Sequence, residues 1–339
     1  VQGYTPGEQP HGGPVVKLNT NENPYSPSPR VVDAVRALTS DQLRKYPDPV
    51  FERFREACAD AYDLPGPEWV IMGNGMDELL ALALRTFVDP GDDVLAMYPT
   101  YSLYEVLCKL HGCNLVSIDL DDDFGLPPAF FDTPARMAFF TRPNAPTSVS
   151  APLAEVERFC AGFDGLVVID EAYADFGEDN CIGFAQRFDN VIVMRSFSKS
   201  FSLAGMRIGV ALARPEIIGE FMKTKDSYNM DVFSQAVGLA AIGDLAHVHA
   251  NANKVRVTRT RLIQALRQLG FTVPDSQANF VLAQWNGDPH AFTLFDMLRE
   301  RGILVRYFAA PRLDDCLRIT VGTEEDCDAL LNTLRDLLR

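Results

Sequence analysis

Val191-Ile192-Val193-Met194-Arg195-Ser196-Phe197-Ser198-Lys199 reads as a short buried strand running into a polar turn. Four consecutive apolar residues suit a strand covered on both faces, because a half-exposed strand would alternate apolar with polar. Runs of the same kind recur at 69–72, 94–98, 115–118, 137–141, 166–169 and 208–213. Between several of them the spacing predicts helices over 77–88, 100–111 and 152–163. Buried strands separated by helices predict an α/β fold, with a mostly parallel sheet flanked by helices. Ligands of such sheets gather at the carboxyl ends of the strands, which is where the polar turn with Lys199 falls.

Outward from this region, residues 1–30 are extended and rich in Pro, Gly and Asn, and they predict an arm draped over another surface, such as a second subunit. Helices are expected at 29–39 and, after the break Lys45-Tyr46-Pro47-Asp48-Pro49, at 50–62. Beyond the sheet, helices are expected at 215–225 and 231–269, the second read as one long helix leading to another domain. The remainder alternates again: strand 279–283, helix 289–301, strands 303–306 and 317–321, helix 323–338. This predicts a smaller α+β C-terminal domain. The expected division is an N-terminal arm with part of the small domain over 1–40, a large domain over 41–245, and the small domain over 246–339.

At 339 residues, 47% apolar and 23% charged, the composition is that of a globular protein large enough for two cores. No apolar run reaches the roughly eighteen residues that span a bilayer. A net charge of −15 argues against nucleic acid or an anionic membrane as partner. Seven scattered cysteines without a C-x-x-C pair predict free thiols in a reducing cytoplasm. No signal-peptide pattern opens the sequence, so a cytoplasmic location is expected. The five histidines do not cluster at ligand spacing, and no metal site is expected.

An ammonium at the mouth of a buried strand is costly to desolvate, so Lys199 is a candidate for a neutral, reactive amine. Ser196, Ser198 and Arg207 around it offer hydroxyls and a cation for a phosphate; a polar loop with a solvated lysine is the alternative. Gly73-Asn74-Gly75-Met76-Asp77-Glu78 stands between a strand and a helix, where the backbone at Gly75, Met76 and Asp77 could approach a phosphate. There the two acids could equally serve as helix caps. Tyr101 follows the next strand and could stack on a flat heterocycle or belong to the core. Asn144 sits between two prolines, in a functional position or an ordinary turn. Asp170, directly after Leu166-Val167-Val168-Ile169, faces desolvation unless it meets a cation such as a protonated pyridine nitrogen, with Tyr173 within reach of the same ring. A metal-binding acid is the competing reading. Every one of these groups follows a strand-like segment, and one bound aromatic phosphate ester, pyridoxal 5′-phosphate, would explain all of them.

From about residue 3 to the C-terminus the chain resembles the fold-type I pyridoxal-phosphate aminotransferases. The similarity is carried by Leu18-Asn19-Thr20-Asn21-Glu22-Asn23-Pro24-Tyr25, Tyr46-Pro47-Asp48, Gly73-Asn74-Gly75, Pro99-Thr100-Tyr101, Asp170-Glu171-Ala172-Tyr173, Ser196-Phe197-Ser198-Lys199, Gly205-Met206-Arg207, Tyr228-Asn229 and Leu317-Arg318-Ile319-Thr320-Val321-Gly322-Thr323. The resemblance implies that Lys199 holds the cofactor covalently and later carries the proton, that Asp170 holds the pyridinium, and that Tyr173 and Asn144 contact the ring's phenolic oxygen. It implies Tyr101 stacked on the ring, with Ser196, Ser198, Arg207 and the backbone of 75–77 on the phosphate. Tyr46 would come from the neighbouring subunit of a homodimer. Tyr25, Arg306 and Arg318 would contact substrate. The implied reaction is amino transfer between L-histidinol phosphate and 2-oxoglutarate, a step of histidine biosynthesis. An aromatic amino-acid aminotransferase and a threonine-phosphate decarboxylase are alternatives within the family. A non-enzymatic cofactor-sensing module would need a DNA-binding domain and a basic surface, and neither is visible. Two departures stand out: Ser148 where the family's Pro-Asn-Asn-Pro-Thr-Gly ends in glycine, and Met76 where a small residue is usual.

Overall fold

The computed structural model describes residue 3, residues 5–10 and residues 15–339. After a short strand β1 (Val16–Lys17), seven strands build one sheet: β2 (Val70–Asn74), β3 (Asp93–Tyr98), β4 (Asn114–Asp119), β5 (Met137–Thr141), β6 (Leu166–Asp170), β7 (Val191–Ser196) and β8 (Ile208–Leu212). Their spatial order is β2-β8-β7-β6-β5-β3-β4. Only β8 runs against its neighbours; the remaining pairings are parallel. Residues alternate between two cores along each strand: Val167, Ile169, Val191 and Val193 face one, while Val168, Ile192 and Met194 face the other. Covering both faces is what the unbroken apolar runs require.

The reversed direction of β8 matters for function. Its first residues lie at the carboxyl end of its neighbours, with Ile208 opposite Asn74 and Gly209 opposite Ser196. Arg207, just before β8, is thereby returned to the edge of the sheet that Lys199 occupies.

The last part of the chain supplies β9 (Phe280–Gln284), β10 (Ile303–Leu304), β11 (Arg306–Tyr307) and β12 (Cys316–Thr320). Strands β11-β12-β9 form an antiparallel sheet, while β10 pairs in parallel with β1. The single strand expected over 303–306 is therefore two short strands in different sheets, parted at Val305. The long helix expected over 231–269 is also two, Val232–Ile242 and Leu245–Gln268. Gly243 and Asp244 separate them because other parts of the chain claim their polar groups: Arg30 Nη1 donates to the Gly243 carbonyl (2.8 Å), and Ser28 Oγ to Asp244 (2.5 Å). The second helix is shared, with Val248 in a core of the large sheet and Ala252, Val255 and Leu262 in that of the small one.

Residues 18–23 form the seam between the two sheets. Leu18 is bonded on both sides, to the Leu304 carbonyl (2.7 Å) and from the Thr320 amide (2.9 Å). Asn21 accepts at its carbonyl from Asn279 (3.0 Å) and donates from its side chain to the Tyr173 hydroxyl (3.1 Å).

Ser148 resolves the first sequence departure. It adopts φ 67°, the left-handed conformation that glycine takes without steric cost, and its buried hydroxyl has no hydrogen-bond partner among the described residues. The turn is kept by bonds from the Ser148 amide to the Asn144 carbonyl and from the Asn144 amide to the Val149 carbonyl (2.8 Å each). Ser148→Gly is expected to stabilise the protein by about 1 kcal/mol, read as a higher denaturant midpoint at unchanged slope.

Candidate active site

A cavity of about 150 Å³ opens at the carboxyl edge of the large sheet, and the small sheet closes its other side. Met76, Asp77, Tyr101, Asp170, Tyr173, Ser196, Ser198, Lys199 and Arg207 line it, as do Arg306 and Arg318. The turn after β2, the loop after β3, the end of β6 and the turn after β7 thus converge on one space.

Lys199 is half-buried, and its Nζ donates to the Thr20 carbonyl at 3.1 Å. Burial, helped by the charges of Arg318 and Arg207 and opposed by Glu22, lowers its pKa to about 8. Near neutral pH a useful fraction is therefore the free amine. The backbone of the lysine is held from the seam: Asn23 Nδ2 donates to the carbonyls of Lys199 (3.3 Å) and Ser200 (3.2 Å). Beneath it lies a buried ionic group. Arg195 pairs with Glu171 (2.9 Å) and with Asp175, and Asp175 in turn accepts from Ser200 Oγ. Glu171 also accepts from the Cys181 amide (2.5 Å), so these buried charges are both paired and hydrogen-bonded.

Asp170 is almost wholly buried at the floor. Its carboxylate accepts from Tyr104 Oη (2.6 Å) and the Ala172 amide (3.1 Å), and no cation forms an ion pair with it among the described residues. Burial raises its pKa to about 6, although both hydrogen bonds oppose the shift. Tyr104 is a functional residue the sequence reading missed. It sits in the first turn of the helix Leu103–His111, bonds Thr141 Oγ1 (2.7 Å) as well, and stacks on Phe139 at 4.5 Å. The helix expected over 100–111 begins only at Leu103, so Tyr101 stands before it and Tyr104 within it, and their spacing gave no signal of a shared face.

The phosphate-sized corner is formed by Gly75, Met76, Asp77, Ser196, Ser198 and Arg207. Gly75, at φ 84°, precedes the helix Met76–Phe87, and a Cβ built on it would lie 2.7 Å from Arg207 Nη2. Gly209 packs equally closely, a Cβ there meeting the Met76 amide nitrogen at 2.6 Å. Arg207 Nη1 donates to Ser198 Oγ (3.3 Å), and Nη2 donates to Asp77 Oδ2 (3.2 Å). Asp77 Oδ1 accepts from Tyr101 Oη at 3.2 Å. Met76 turns its side chain into the core of the large sheet, so its size does not obstruct the corner.

Gly75 lies just behind the lining, and three further sequence candidates stand apart from it. Asn144 spends its side-chain amide on the Pro99 carbonyl (2.9 Å) and Thr147 Oγ1 (3.0 Å), and its Oδ1 accepts from Thr100 (3.1 Å), so here it buttresses the loops. Tyr25 lies under Lys254, whose Nζ is 4.8 Å from the ring. Tyr46 is 80% exposed and stacks on Tyr228 at 4.4 Å. At the mouth, Arg306 donates to the carbonyls of Pro6 (3.0 Å) and Thr5 (2.7 Å), and Arg318 to that of Asn19 (3.0 Å).

Among the described residues no helix is long and apolar enough to cross a membrane, and no cluster of His, Cys, Asp and Glu is placed to hold a metal. The family model for aminotransferase class I and II matches residues 13–334. The chain belongs to that family. Among its relatives, the histidinol-phosphate aminotransferase of Synechocystis sp. is 45% identical over 336 residues, which cover 98% of this chain and 95% of that protein. The histidinol-phosphate aminotransferase of Microcystis aeruginosa is 42% identical over 335 residues, covering 99% and 95%. The crystal structure of histidinol-phosphate aminotransferase from Sinorhizobium meliloti in complex with pyridoxal-5′-phosphate superposes with a TM-score of 0.86 at 27% identity, over 95% of this chain and 91% of that one.

Proposed function

We propose that the chain transfers an amino group between L-histidinol phosphate and 2-oxoglutarate, giving imidazole-acetol phosphate and L-glutamate, with pyridoxal 5′-phosphate as cofactor. The observation that carries this reading is Asp170: a buried carboxylate without a counter-cation, on the floor of a cavity that also holds a lysine with a lowered pKa. A group that brings its own cation to that floor removes the desolvation cost, and a protonated pyridine nitrogen is such a cation. The corner at Gly75 and Arg207 suits the same molecule's phosphate, since Gly75 at φ 84° turns the backbone into the helix start at Met76 with the Arg207 guanidinium close beside it.

When bound, the cofactor supplies an electron sink for negative charge developing at the substrate's α-carbon. The protein's residues do the rest. Asp170 keeps the ring nitrogen protonated, and Tyr104 fixes the carboxylate's direction. Tyr173, held by Asn21, places its hydroxyl in the cavity. Ser196, Ser198, Arg207 and the helix start at Met76 bind the phosphate. As a neutral amine Lys199 would take the proton from the substrate's α-carbon, and as the resulting ammonium it would give that proton to the cofactor carbon joined to the transferred nitrogen. Arg306 and Arg318 receive the substrate's phosphate or carboxylate.

Position 46 belongs to the same reading. Tyr46 is accompanied on the surface by Leu43 and Tyr228, which are also exposed, and a second copy of the chain covering this face would bring the tyrosine toward its neighbour's cavity. Sedimentation equilibrium is expected to give twice the 37.6 kDa chain mass, and a monomer at micromolar concentration would overturn the dimer. With no membrane-spanning helix among the described residues, the cytoplasm is the compartment we assign.

The test is substrate profiling of the cofactor-loaded protein with histidinol phosphate, phenylalanine and threonine phosphate, following glutamate formation from 2-oxoglutarate and carbon dioxide release. Preferred turnover of phenylalanine, or decarboxylation of threonine phosphate, would replace the assignment.

A further inference from the structure

Arg306 and Arg318 are direct cross-strand partners, one on β11 and the other on β12. Like charges facing each other across a strand pair repel, so something must hold them there. Backbone carbonyls of residues 5, 6 and 19 account for one end of each guanidinium. Aromatic rings restrain them too: Phe280 lies 5.3 Å from the guanidinium carbon of Arg318, and one ring is shared by both arginines. Phe308 lies 5.3 Å from the guanidinium carbon of Arg306 and 5.3 Å from that of Arg318. Its own position is set by packing against the small cluster of Leu282, Leu313 and Cys316.

We propose that Phe308 is a positioning residue that holds the two guanidiniums as a fork for a dianionic phosphate ester. This inference rests on the functional reading above and specifies how the phosphate end of the substrate is recognised. The face of an aromatic ring attracts a guanidinium without cancelling its charge, which a carboxylate in the same place would do. The ring thereby orients both side chains toward the cavity they line. A phosphate dianion, with three terminal oxygens, accepts paired hydrogen bonds from two guanidiniums at once, whereas a single carboxylate satisfies only one such fork. Pre-orienting both arginines removes an ordering cost that each substrate would otherwise meet on binding.

The experiment uses the cofactor-loaded enzyme, in which the cofactor's own phosphate corner is filled. Inorganic phosphate is titrated calorimetrically into wild type, Phe308→Leu and Phe308→Tyr, with Arg306→Gln as the reference for a broken fork. Phosphate binding is expected to weaken about tenfold in Phe308→Leu and to recover in Phe308→Tyr, since two surface cation–ring contacts are lost and then restored. In turnover, the leucine variant is expected to raise KM for histidinol phosphate by a similar factor with kcat changed less than about twofold. Unchanged phosphate affinity in the leucine variant overturns the proposal. So does a loss in kcat that the tyrosine variant does not rescue, because that marks a structural defect. Failure of the functional reading is separable: wild type would then bind phosphate through the fork but leave histidinol phosphate unconverted.

Discussion

Lys199→Ala is expected to leave a folded protein whose amino transfer falls by about four orders of magnitude, the upper range for removing a general acid–base. The loss arises because nothing else in the cavity offers a neutral amine. Arg207, Arg306 and Arg318 line the same space, but guanidiniums stay protonated and cannot take a proton. The same residue leaves a mark on stability that requires no turnover assay. Its folded pKa of about 8 lies below the unfolded value of 10.5, so the native state disfavours the charged form. Between those two values the unfolded chain binds more protons than the folded one, and the stability of the wild type rises with pH. Lys199→Met, a neutral chain of similar length, is therefore expected to stabilise the cofactor-free protein by ~1–2 kcal/mol below pH 8, allowing for the water that reaches a half-buried side chain. The advantage fades as the pH approaches 10.5. Parallel denaturant titrations at pH 7 and pH 10 measure it, and an equal difference at both would show that the lysine is not desolvated.

Asp170→Asn is expected to lower turnover by about 10²–10³-fold, the cost of losing one preorganised charge beside a developing charge. An amide cannot keep a pyridine nitrogen protonated. Stability moves the other way in the cofactor-free protein. The carboxyl's folded pKa of about 6 exceeds its unfolded value of 3.8, so wild type loses stability as pH rises between the two. Asparagine removes that penalty, with an expected gain of about 3 kcal/mol above pH 6 and none below pH 3.8. Adding cofactor reverses the order, since the cation it brings rewards only the carboxylate. Thermal unfolding of both proteins with and without pyridoxal 5′-phosphate, at pH 5 and pH 8, tests this crossing. If the variant gains as much from the cofactor as wild type does, Asp170 does not hold the ring nitrogen.

The strand ends were legible because unbroken apolar runs have few other uses, and the polar residues following them were consequently read at one edge of one sheet. Lys199 and Asp170 announced themselves as charges placed where burial is expensive, and Arg207 as a cation set close to hydroxyls. Tyr104 did not, since a tyrosine inside an apolar helix face reads as core until its hydroxyl is seen to meet Asp170. The pairing of Arg195 with Glu171 and Asp175 was equally hidden, because its members are 20 or more residues apart. Asn144 read as a functional position or an ordinary turn, and the partners that use its amide, the Pro99 carbonyl and the Thr147 hydroxyl, are ones no motif names. The break at Gly243 and Asp244 depends on Ser28 and Arg30, more than two hundred positions earlier, and no local pattern records it.

The seam at residues 18–23 has a consequence for how the protein is made. Leu18 and Asn21 are synthesised long before their partners at Asn279, Leu304 and Thr320 leave the ribosome. The large sheet can assemble while translation continues, since its seven strands are complete by Leu212. The segment can meet Tyr173 and Lys199 by then, but its bonds to the small sheet must wait for Asn279, Leu304 and Thr320. Lys199, whose backbone and amine both rest on that segment, also feels the charge of Arg318, so its full reactive setting forms only after that residue has emerged.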